Sequence, residues 1–127
     1  MHGGFVMTRH QDDGAAAVEF ALVAMLLFTL LFAVIQFGYT FFEYVSVAHA
    51  AREGVRWAAL GADEDTVVAR ALAASPGLDP SSATITIDNP ASDSVRVQIT
   101  YVRTVLVPIP DVVLPDEISS TAVQRLE

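Results

Sequence analysis

The sequence predicts an α+β fold in which a long N-terminal helix packs with a short second helix and a small three-stranded antiparallel sheet. Two observations carry this expectation. From Phe20 to Ile35 the only polar side chain is Thr29, and no charged residue lies between Glu19 and Glu43. Far downstream, two runs alternate apolar and polar residues with a period of two, the pattern of half-buried strands.

The apolar run meets the length needed to cross a bilayer, about 20 residues. Its Leu, Ala, Phe and Met favour helix, and a lone segment in lipid must satisfy its own backbone hydrogen bonds. We therefore expect a transmembrane helix over residues 15–39. It does not stop there. No proline lies between Gly38 and Gly61, and Val45, Ala48, Ala51 or Arg52, Val55 and Ala58 or Ala59 recur at helical spacing. Residues 40–61 are thus a projecting continuation of the same helix, ending at Gly61 ahead of Asp63.

Residues 62–127 form the remaining small α+β domain. Asp63, Glu64 and Asp65 precede an apolar-periodic stretch that stops at Ser75-Pro76-Gly77, which describes a short helix over 64–74. The acids lack the spacing and glycine of a calcium loop, so capping is their expected use. Thr84 to Asp88 and Ser94 to Val102 alternate cleanly around the turn material Asn89-Pro90-Ala91-Ser92-Asp93, predicting a hairpin. Residues 105–115 hold three prolines among apolar residues and read as an extended loop, with a third strand over 118–126.

Composition narrows the chemistry. All seven basic residues are arginine, fifteen residues are acidic and the net charge is -8, so no basic patch exists to neutralise nucleic-acid phosphates. With no cysteine, disulfides, thiolate metal sites and cysteine nucleophiles are excluded. His2, His10 and His49 are too scattered to share a metal. No nucleophile, base and orienter set and no phosphate loop is found, so no catalytic residue, cofactor or small-molecule substrate is expected. Arginine counting does not decide orientation, since Arg9 flanks one end of the span and Arg52 and Arg56 lie beyond the other. A short leader facing a larger domain favours a cytoplasmic N-terminus.

Glu19 sits in the apolar run. A carboxylate costs roughly 2.5 to 3.5 kcal/mol at the centre of a span, and less near the interface. It is either a first-turn acid favoured by the helix dipole or a group awaiting a partner. The stretch Asp13-Gly14-Ala15-Ala16-Ala17-Val18-Glu19-Phe20 resembles a class III signal of the type IV pilin kind, which a prepilin peptidase cuts after the glycine. That resemblance implies a cytoplasmic leader over residues 1–14 and a processing site between Gly14 and Ala15. The freed amine of Ala15 would then be a cation one helical turn from Glu19.

Val18-Glu19-Phe20-Ala21-Leu22-Val23, Ile35-Gln36-Phe37-Gly38 and Ala48-His49-Ala50-Ala51-Arg52-Glu53-Gly54-Val55-Arg56-Trp57-Ala58-Ala59 resemble the TadE-like pseudopilins of the tight-adherence (Tad or Flp) pilus assembly system. The C-terminal run Ile118 to Glu127 also looks like that family's closing strand. The resemblance implies a non-enzymatic, single-pass protein of the cell membrane with an extracytoplasmic C-terminal domain, related to type IVb pilus and type II secretion subunits. Its implied partners are the membrane, a prepilin peptidase, other pilins and pseudopilins, and Tad assembly-platform proteins. Gln36 stands where family members often carry a second acid, and Asp12-Asp13 where a basic or small residue is more usual.

The block Arg52, Glu53, Gly54, Arg56 and Trp57 admits two readings. One is a packing and salt-bridge surface against the chain's own C-terminal domain. The other is a contact with partner subunits, with Gly54 permitting close approach and Trp57 as anchor. A separate alternative for the whole chain is a secreted or anchored domain with an ordinary signal peptide cut near Ala50, suggested by Ala48-His49-Ala50, and an unrelated binding role.

Overall fold

The computed structural model describes residues 9–106 and 115–126, with side chains from Asp13 onward. The elements are a long helix α1 (Arg9–Ala59), a short helix α2 (Glu64–Ala73), a 3-10 turn (Pro80–Ser82) and strands β1 (Ala83–Ala91), β2 (Ser94–Val102) and β3 (Glu117–Arg125). The fold is α+β, with the sheet antiparallel in the order β1-β2-β3. The chain divides into two compact units, one up to Ile35 and one from Gln36 onward.

In the first unit α1 is already formed at Arg9, ahead of the start expected at residue 15. No proline interrupts residues 9–15, and the penalty of about 1 kcal/mol for Gly14 relative to alanine is too small to end a helix running into three alanines. Its apolar side chains stay largely exposed, among them Phe20, Leu26 and Leu30. Among the described residues, α1 is the helix long and apolar enough to cross a membrane.

The second unit is built around the remainder of α1. Val47, Ala50 and Ala51 are fully buried and Val55 nearly so, joined by Val67 and Ala71 of α2 and by Val95, Val97, Ile99 and Tyr101 of β2. The alternate residues of β2 all point inward because a strand turns successive side chains to opposite faces. Gly54 is the point of closest approach: a Cβ there would lie 3.2 Å from a Val97 methyl and 3.3 Å from the Ala71 Cβ.

The end of α1 follows from Gly61. Its φ of 80° is accessible to glycine without strain. Gly61 N–H donates to Ala58 O and Ala62 N–H to Trp57 O, the paired bonds of a Schellman stop. Helix α2 then starts on Asp63, whose carboxylate accepts from the Thr66 hydroxyl and amide. At its far end the Ser75 hydroxyl donates to Ser46 O, tying α2 back to α1.

The hairpin differs from expectation at one place. Asn89 and Pro90 belong to β1, with a register shift between Asp88 and Ala91, and the turn shrinks to Ser92-Asp93. β1 is an edge strand, so Pro90 can occupy it without breaking an interior ladder. The expected loop over 105–115 falls outside the described residues between 107 and 114.

Two predictions follow from this packing. Gly54→Leu should destabilise the second unit by about 1 to 3 kcal/mol through overpacking against Val97 and Ala71, measurable by denaturant unfolding of the detergent-solubilised chain. The Thr66 hydroxyl and then its amide hold the Asp63 carboxyl below the usual carboxylate range. The stabilisation from this cap is therefore present above the unfolded-state value of about 3.9 and lost as pH falls through the lower folded value. Circular dichroism should show helix loss on acidification that is shallower in Asp63→Asn, which keeps the cap without the titration.

Candidate functional site

In the first unit, Gly14 and Ala15 are adjacent on α1 and Glu19 lies one turn further on, all exposed. Nothing lies within 4 Å of the position a Gly14 Cβ would take. Ala15 and Glu19 are i, i+4 neighbours, the spacing that places two groups on one face.

In the second unit the block from Arg52 to Trp57 separates into two faces. Gly54 is buried against β2 and α2. The Trp57 indole N–H donates to Glu53 Oε1 at 2.8 Å, and the Arg70 guanidinium stands 4.5 Å over the Trp57 ring, a cation–π contact that braces α2 against α1. Glu53 also faces Arg56 at 3.9 Å, an i, i+3 pair worth little at an exposed site. Glu53, Gly54 and Trp57 are thus engaged within the chain. Arg52 and Arg56 are exposed.

Gln36, marked in the sequence only as a departure from the family pattern, and Glu43, which sequence reasoning did not single out, are both fully buried. Seven apart on α1, they lie on one stripe of the helix. Past Val102 the chain leaves the sheet ladder, and its backbone groups need new partners. Thr104 N–H donates to Glu43 Oε1 at 3.1 Å, Leu106 N–H donates to Gln36 Oε1 at 3.0 Å, and the Gln36 amide donates to Thr104 O at 3.3 Å. Two helix side chains therefore do the work of a missing strand. An amide can both accept and donate, whereas an ionised carboxylate only accepts, so glutamine at 36 satisfies both Thr104 O and Leu106 N–H. Glu43 Oε2 is buried with no hydrogen-bond partner among the described residues. The signal that could have found them is two long polar side chains seven apart in a largely apolar stretch, although it does not say what they bond.

Arg103 closes the neck beside this clasp. Its side chain is almost wholly buried, Nε donates to Pro115 O at 2.9 Å and Nη2 stands 3.7 Å from Asp116 Oδ1. Its backbone N–H donates to Asp116 O. Among the described residues, no cluster of His, Asp and Glu is placed to hold a metal ion.

Compared with known proteins, residues 14–56 match the family model described as TadE-like protein. This is the family the sequence resembles, and the match begins at Gly14 and ends at Arg56. It covers about a third of the chain, and α2 and the sheet lie outside it. No curated protein and no solved structure matches the chain.

The clasp predicts a local effect. Glu43→Ala leaves the Thr104 N–H unpaired, and Gln36→Leu leaves two backbone groups unpaired, each costing roughly 1 to 3 kcal/mol. Amide exchange at Thr104 and Leu106 should accelerate in both variants while that of Val97 and Ile99 changes less.

Proposed function

We propose that the TadE-like segment makes this chain a pseudopilin: a non-enzymatic, single-pass membrane subunit of Tad pilus assembly, processed by a prepilin peptidase after Gly14. In this reading the span covers residues 15–35, about 31 Å of helix at 1.5 Å per residue, which matches a hydrocarbon core of about 30 Å. The leader faces the cytoplasm and the unit from Gln36 onward stands outside as a headpiece. Ending the span before residue 36, and not at the expected residue 39, is supported by Gln36, which is fully buried and bonded to Thr104 and Leu106.

The observation that carries the reading is that one continuous helix, α1, is apolar and exposed along its first part and core-forming along its second. Val47, Ala50 and Ala51 are wholly buried in the headpiece, and the same helix exposes Phe20, Leu26 and Leu30 ahead of Ile35. This weighs against the alternative of a signal peptide cut near Ala50. Such a cut would fall inside the packed core and strip the headpiece of Gln36, Glu43 and Val47.

Cleavage after Gly14 gives Glu19 its use. The new Ala15 amine lies one turn from the carboxylate, on its own chain or presented by a neighbour. Pairing removes the cost of an isolated charge in lipid, roughly 2.5 to 3.5 kcal/mol at the bilayer centre, and so favours helices that pack together. The partners are the peptidase, other pilins and pseudopilins, and assembly-platform proteins.

Mass spectrometry of the membrane-extracted protein, made together with a prepilin peptidase, should show Ala15 as the first residue. An N-terminus at Ala51 would overturn the reading, and an intact Met1 would remove its processing step. Glu19→Ala should insert normally yet enter assemblies poorly, and undiminished assembly would rule out a role for the carboxylate.

A further inference from the structure

On the upper part of α1 the residues buried in the headpiece, among them Val47, Ala51 and Gly54, define the inward face. At 100° per residue, Val45, His49, Arg52 and Arg56 fall on the opposite side, and all four are exposed. Arg52 has no ion-pair or hydrogen-bond partner among the described residues, and Arg56 has only its long contact with Glu53. The helix thus presents two arginines on its bare back, in a chain of net charge -8. The rest of the headpiece has the opposite sign: from residue 60 onward ten acids accompany four arginines.

Several of those acids are already used. Asp88 pairs with Arg96, Asp93 with Arg125, Asp116 with Arg103, and Asp63 caps α2. Glu64 and Asp65, in the first turn of α2, are exposed and have no ion-pair partner among the described residues. A basic stripe whose ion pairing is confined to the long Arg56–Glu53 contact and an acidic turn with no ion pair therefore sit at different places on one molecule, complementary in charge as a head-to-tail contact between copies requires.

We propose that the Arg52–Arg56 stripe of one copy receives the Glu64–Asp65 turn of a second copy of this chain. The inference rests on the reading of the chain as an assembling subunit and names the contact its headpieces make. An anionic lipid headgroup fits the position less well. Arg52 lies seventeen residues beyond Ile35, about 26 Å along the helix. The headgroup layer outside the hydrocarbon is only about 6 Å thick on each side. The contact supplies register and specificity, which is what charge complementarity contributes at an interface.

The test uses the full chain, which has no cysteine. A donor or acceptor dye on an added C-terminal cysteine reports self-association by energy transfer in vesicles of neutral phosphatidylcholine. The double reversals Arg52→Glu with Arg56→Glu, and Glu64→Arg with Asp65→Arg, should each weaken association about tenfold or more. Mixing the two variants should restore pairing between unlike copies, and raised salt should weaken the wild type. All four positions are exposed, and circular dichroism verifies that the variants fold. The proposal is overturned by wild-type chains that stay monomeric in neutral vesicles, by association indifferent to both reversals, by the absence of rescue in the mixture, or by association that needs anionic lipid. Association that survives both reversals but falls in Glu19→Ala refutes the headpiece contact and leaves the proposed function standing.

Discussion

The headpiece depends on the narrow ridge that α1 offers at Ala50, Ala51 and Gly54. A three-stranded sheet of nine-residue strands with one short helix has little apolar surface to bury by itself. It gains a core by closing on the later part of α1. The closeness of Val97 and Ala71 to Gly54 shows how tight the fit is: a single added carbon already crowds both. Small residues let the helix backbone itself become part of the interior, so the sheet packs against main chain as much as side chain.

The same helix also solves a hydrogen-bonding problem. Where the chain leaves β2, the backbone of Thr104 and Leu106 would be left without partners, and Gln36 and Glu43 supply them from the side. Burying an acid for this purpose is costly unless its oxygens are matched, and one oxygen of Glu43 is not. The clasp therefore holds the chain at a definite place on the helix more than it deepens the stability of the fold. Its position, starting at Gln36, also marks where α1 passes from exposed apolar side chains to the second unit.

Much of the architecture was legible in the residues because it rests on periodic or local signals. The helix showed itself in the spacing from Val45 to Ala58, its stop in Gly61, and α2 in the acids ahead of Val67. The sheet was legible in the alternation around Ile85 and Val97. Features set by distant parts of the chain were not. Gln36 and Glu43 bond to backbone more than sixty residues away, and backbone carries no sequence signature at the receiving end. Pro90 reads as a turn residue in isolation, and only the edge position of its strand lets it remain extended. Arg52 and Trp57 look alike as members of one motif, yet helical geometry sends the first outward and the second into a contact with Arg70.

Arg103 has a consequence for how the molecule can vary. By gripping Pro115 and Asp116 it staples together the two ends of the stretch between them. Lengthening a stapled stretch costs little, since closure entropy grows only slowly with length. The clasp at Thr104 and Leu106 falls inside the closed segment, so it is changes of length beyond Leu106 that leave both the clasp and the sheet register in place.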